Sequence, residues 1–123
     1  MSEERPVRPT EPGEVNRTEN TWTPDGGGWA KEVHYVDNEG NTLNRIRSGP
    51  VRGDNPDFDE MTTRCANGAS LPRDVQERVN AELRRPFWTA PLARMIFGNN
   101  HDFGDASPLS NACRIQRDND RNR

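Results

Sequence analysis

The sequence predicts a small, irregular α+β fold: one β-hairpin, one main helix, one short helix, and long extended arms at both ends. Three observations predict it. Apolar residues alternate from Trp29 to Val36 and resume beyond a glycine-containing turn. Leu71, Val75, Val79 and Leu83 recur every four residues. The remainder is too polar for a large core: of 123 residues only 29% are hydrophobic and 30% are charged, against about 45–50% apolar in typical domains on a count that includes Gly. Ordering each residue costs roughly 1–2 kcal/mol of backbone entropy. So polar a chain is expected to take much of its order from partners.

Residues 1–28 read as an N-terminal arm. Pro6, Pro9, Pro12 and Pro24 keep it extended, and Gly26, Gly27 and Gly28 end it in a flexible joint. Residues 29–97 hold the expected α+β core. Trp29, Val33 and Tyr35 share one strand face with Lys31, and Ala30, Glu32, His34 and Val36 share the other. Gly40, in Asp37-Asn38-Glu39-Gly40-Asn41, suits the left-handed position of a type I turn with a G1 bulge. Thr42 to Arg47 is the return strand. An isolated hairpin is marginal in water, so it needs a helix or a partner strand to cover it.

Residues 48–70 read as a long acidic loop, punctuated by Gly49, Pro50, Gly53, Pro56 and Gly68. Residues 71–85 are the main helix, with Ser70 as its N-cap, Pro72 in its first turn and Pro86 as its stop. Asp74 and Arg78 form a favourable pair on it. Residues 86–97 hold the densest apolar material, and Thr89 caps a short helix there that ends at Gly98. This segment is expected to pack on the hairpin and the main helix. Residues 98–123 read as a polar C-terminal tail.

Motifs that carry chemistry are sparse. His34, His101 and Asp102 could sketch a small nuclease-like acid–base site. They fall in no metal-spaced motif, and two histidines are ordinary for this length. Cys65 and Cys113 lack the paired spacing of zinc ligands. Their default is two reduced thiols in a cytosolic protein. A disulfide is the sharper reading, and one closing so long a loop stabilises by about 4 kcal/mol in the chain-entropy model. Asp54, Asp57, Asp59 and Glu60 miss the calcium-loop order. Arg52-Gly53-Asp54 reads as a turn, and the glycine triplet is not a phosphate loop.

Net charge is -3, which gives no general attraction to nucleic acid. Lys31 is the only lysine; every other basic residue is arginine. Arg73, Arg78, Arg84, Arg85 and Arg94, with Phe87 and Trp88 nearby, could make a weak nucleic-acid or regulatory surface. A salt-bridged or solvated face is the plainer account.

The function expected from these features is non-enzymatic: a structural or accessory subunit that binds along protein partners, in multiple copies, within a large assembly. No catalytic, cofactor or metal site is expected. Trp22, Trp29, Phe87, Trp88 and Phe97 are the expected anchors, because large aromatics dominate interface energetics. Long arms and a small domain suit a virion component, such as a bacteriophage capsid-decorating, neck or tail protein. An accessory subunit of an organellar or respiratory complex would have the same composition. Met1 to Glu14 has no apolar run, so neither a signal peptide nor membrane insertion is expected. The expected location is the virion, and otherwise the cytoplasm.

Overall fold

A computed structural model describes residues 5–84 and 107–121. Strands β1 (Val15–Trp22), β2 (Trp29–Asp37), β3 (Thr42–Gly49) and β4 (Phe58–Arg64) form one antiparallel sheet in the order β1-β2-β3-β4. Helices α1 (Arg73–Leu83) and α2 (Pro108–Arg121) follow. The fold is therefore small and mixed α+β, as the sequence predicts, with a larger sheet than one hairpin.

The central hairpin forms as expected. Val36 pairs with Thr42 and Tyr35 with Leu43, and the turn closes through Gly40 N–H to the Asp37 carbonyl. Gly40 sits at φ 87°, the left-handed position foreseen for it. Register places Val15, Arg17, Glu19, Val33, Tyr35, Asp37, Leu43, Arg45, Met61 and Thr63 on one face. At one end of that face, Tyr35 and Leu43 join Leu71, Val79, Leu83, Leu109, Cys65 and Cys113 in the core.

Four sequence expectations change. The first arm is only partly an arm: Val15–Trp22 is an edge strand paired with β2 along its whole length. Its core-side residues include Arg17 and Glu19, which are held by charge: Glu19 meets Arg17 at 2.8 Å and Lys31 at 2.9 Å. Strand β1 therefore lacks the apolar alternation that marks a half-buried strand. The glycine triplet is not a joint but the β1–β2 turn, in which Gly27 N–H bonds the Pro24 carbonyl. The arm's earlier part folds back on the protein's own β2–β3 turn, with Arg8 Nε donating to the Asn38 carbonyl at 2.7 Å.

Second, the 48–70 loop contains β4. Its inward residues are Met61 and Thr63, so one core contact is polar and the acidic sequence conceals the strand. Third, Ser70 does not cap α1. Pro72 occupies the N-cap position, no side chain caps the helix, and Gln76 N–H bonds the Pro72 carbonyl. The Leu71–Leu83 stripe packs inward as its spacing requires. On α1, Arg73 pairs with Glu77 one turn on, at 3.6 Å.

Fourth, the C-terminal polar tail contains α2. Ser107 is its N-cap, with Oγ accepting from Ser110 N–H at 2.9 Å, and Pro108 begins the first turn. Leu109 is fully buried. The expected short helix and apolar segment at 86–97 lie outside the described residues.

Candidate functional site

The cysteines come together. A disulfide joins Cys65, just after β4, to Cys113 on α2, with a Cα–Cα separation of 5.7 Å and a sequence separation of 48. Default reduced thiols are thereby replaced by a staple between helix and sheet, and neither sulfur is available for zinc. In the chain-entropy model a loop of that length is worth about 4 kcal/mol. That is a large share of the roughly 5–15 kcal/mol that holds a typical domain folded.

Beside the staple lies a buried polar cluster built on Asp37. Its Oδ1 accepts from the backbone N–H groups of Glu39 at 3.0 Å and Asn41 at 2.9 Å. Its Oδ2 accepts from Asn41 Nδ2 at 2.9 Å and Ser107 Oγ at 2.8 Å. Asn41 Oδ1 in turn accepts from Ala66 N–H at 2.8 Å. One carboxylate therefore shapes the β2–β3 turn, and with Asn41 it holds the turn after β4 and the start of α2. Thr63 does similar work for α1: its Oγ1 accepts from Leu71 N–H and Gln76 Nε2, both at 3.0 Å.

A cavity of about 240 Å³ opens beside the disulfide. Both cysteines line it, with Asn41 and Asn67 from the two turns and Arg114 and Arg117 from α2. Glu39 brings its one carboxylate. Asn111 Oδ1 accepts from Arg114 Nη2 at 3.1 Å, while Arg117 lies 3.8 Å from Asp118.

The sheet's other face carries Trp22, Ala30, Ser48 and Phe58 in one cross-strand row. Ile46 lies diagonally beside that row, and Phe58 is 47% exposed. Farther along, His34 stands between Thr18 and Asn44, and Asn44 Nδ2 donates to Glu32 at 3.1 Å. On the helix-bearing face, away from the core, Arg45 clasps Asp59 through Nε at 3.0 Å and Nη2 at 2.7 Å. Hydrogen bonding from Arg45 holds the Asp59 carboxyl below its ordinary range. Bonds from Lys31 and then Arg17 do the same for Glu19.

Of the expected anchors, Trp22 is half-buried at the β1 end of the Trp22–Phe58 row. Trp29 is engaged within the chain: its indole covers Gly49, and Nε1 donates to the Gly53 carbonyl at 2.9 Å. Phe87, Trp88, Phe97, His101, Asp102, Arg85 and Arg94 lie outside the described residues. Arg73, Arg78 and Arg84 are all exposed on or just after α1. Among the described residues, no three His, Cys, Asp or Glu side chains cluster as metal ligands. No helix among them is long and apolar enough to cross a membrane.

The sequence reading missed Asp37, Asn41 and Ser107. A usable signal was present: Ser107-Pro108 before Leu109, with Cys113 four residues later, is a helix start on a buried stripe. No protein-family model, curated protein or solved structure matches the chain.

Proposed function

We propose that the protein is a non-enzymatic accessory subunit that docks on protein partners of a larger assembly, with an extended partner segment adding to the edge of β4. The observation that carries this reading is the exposure of that edge. Five of the seven residues from Phe58 to Arg64 are exposed, and among the described residues the sheet ends there with Phe58 at its tip. An unpaired edge strand is a template for another chain, and natural proteins usually cover or blunt it. In strand addition the main chain gives affinity and alternate side chains give specificity. Phe58, on β4 itself, is the apolar anchor of such a contact.

The finer setting we propose is a virion, as a capsid-decorating, neck or tail component. A stapled chain suits a particle surface that meets oxidising surroundings. The dependence on partners is narrower than composition implies, because the described residues carry a core and a covalent staple of their own.

Hydrogen exchange on the isolated chain and on the intact source assembly tests the reading. Amides of 58–64 should exchange fast in the isolated chain at the edge and slow in the assembly. Phe58→Asp should weaken incorporation at least about tenfold, the loss of one buried anchor. Equal exchange in both states, or unchanged incorporation of Phe58→Asp, would count against the proposal.

A further inference from the structure

We propose that the Cys65–Cys113 disulfide is a thiol-exchange site for small anionic thiols, of the glutathione class, and that its reduction releases α2. The inference goes beyond docking and uses a different part of the molecule. Three observations carry it. Both cysteines are buried in the core, but both also form part of the wall of an open cavity, which gives a path from solvent to the bond. Two arginines line the same space, Arg114 (which also donates to Asn111) and Arg117 (3.8 Å from Asp118), against the one carboxylate in the lining, Glu39. They attract an anionic thiol and raise its local concentration as thiolate. Finally, α2 is poorly anchored without the bond. Of its fourteen residues, only Leu109, Ser110, Asn111 and Cys113 are buried, and Ile115 is exposed.

The chemistry balances with two equivalents of thiol. A thiolate attacks Cys65 Sγ and forms a mixed disulfide. The Sγ–Sγ bond breaks, and Cys113 leaves as a thiolate at the cavity wall that Arg114 and Arg117 also line. Cationic neighbours favour that leaving group, which is why Cys65 is the attacked sulfur. A second thiolate attacks the outer sulfur of the mixed disulfide and releases Cys65. Two electrons pass to the protein, the reductant departs as its own disulfide, and both cysteine thiolates take protons from solvent. The Ser107–Asp37 hydrogen bond, Leu109 and the partly buried Ala112 then remain to hold α2 among the described residues, and the helix separates from Val79 and Leu83 on α1.

The test uses the full-length oxidised protein without denaturant. Reduction rates are measured with glutathione and with cysteamine, a cationic thiol, at equal thiolate concentration. Glutathione should react faster, and Arg114→Gln with Arg117→Gln should slow it about tenfold while leaving cysteamine equal or faster. Quenched samples should carry the glutathione adduct on Cys65 by mass spectrometry. Hydrogen exchange should show 108–121 losing protection on reduction while β2 and β3 keep theirs. The proposal is overturned by rates that ignore the arginines, by an adduct on Cys113, or by reduction that saturates at the global unfolding rate. Simultaneous loss of protection in helix and sheet would overturn the release of α2.

Discussion

Replacing Asp37 probes the polar centre directly. In Asp37→Ala, three buried donors lose their acceptor: Asn41 N–H, Asn41 Nδ2 and Ser107 Oγ. An orphaned buried donor costs about 1–3 kcal/mol each, and local relaxation with water entry recovers part of that. The expected loss is about 3–6 kcal/mol, most of the stability of a marginal domain. Asp37→Asn separates two roles of the carboxylate. Its Oδ1 still serves the Glu39 and Asn41 backbone groups, so the turn survives. Its new amide points at the Asn41 amide, donor against donor, while the Ser107 hydroxyl can turn to accept. The expected cost is about 1–2 kcal/mol. Ser107→Ala removes the α2 cap and one buried bond, also about 1–2 kcal/mol. The assay is urea unfolding of the oxidised protein followed by tryptophan fluorescence, with stability taken by linear extrapolation. In a double-mutant cycle, Asp37→Asn and Ser107→Ala should couple by about 1 kcal/mol. Equal costs for Asp37→Asn and Asp37→Ala would refute the division of labour between the two oxygens. A cycle that closes additively would refute the link between the β2–β3 turn and α2.

Other substitutions test the packing and the charges. Leu109→Ala should cost about 2–5 kcal/mol in the same unfolding assay, as a fully buried leucine does. In Gly28→Ala the new Cβ would stand 2.3 Å from the Gly49 carbonyl oxygen at φ +95°, so a loss of at least about 2 kcal/mol is expected. Gly26→Ala, where nothing lies within 4 Å, should be neutral and is the control. The depressed carboxyls of Glu19 and Asp59 fix the sign of the acid response. Their contribution is complete above the ordinary carboxylate range and is lost as pH falls through their lowered folded values. Stability should thus be flat from about pH 6 to 5 and fall below about pH 4, and Asp59→Asn should make that acid limb shallower.

Where apolar residues carried the pattern, the fold was legible. The alternation at 29–36, the glycine turn at 40 and the Leu71–Leu83 stripe each formed as their spacing requires. Legibility failed where polar side chains hold structure. Strand β1 turns Arg17 and Glu19 toward the core side and satisfies them with each other and with Lys31. Strand β4 buries Thr63, whose hydroxyl receives two donors from the α1 region. Such positions resemble loop in a hydrophobicity pattern, because the pattern does not record whether a polar group has a partner. The disulfide was equally hidden: two cysteines 48 positions apart have a loop length but no geometry until the turn after β4 faces α2. The candidate site followed the same division. Trp22 was singled out as an anchor by its size alone, whereas the cavity depends on Arg114 and Arg117, which sit in what reads as a solvated tail.

The low apolar content has a consequence for how the protein depends on its surroundings. A chain short of core residues can gain stability from partners, or it can reduce the entropy of its unfolded state and fully pair its buried polar groups. The structure shows the second route in the Cys65–Cys113 bond and the Asp37 cluster, which meet at the same end of the sheet. Both act on α2, whose buried apolar side chains are Leu109 and Cys113. The opposite end, with Phe58 and the β4 edge, has neither staple nor cluster among the described residues and keeps its exposed surface. Stability is thus concentrated at one end, leaving the other available for contact. That separation means reduction should loosen α2 without abolishing the β4 edge. An assembly that holds the protein only through 58–64 should retain it after the disulfide is reduced, whereas one that holds α2 should release it.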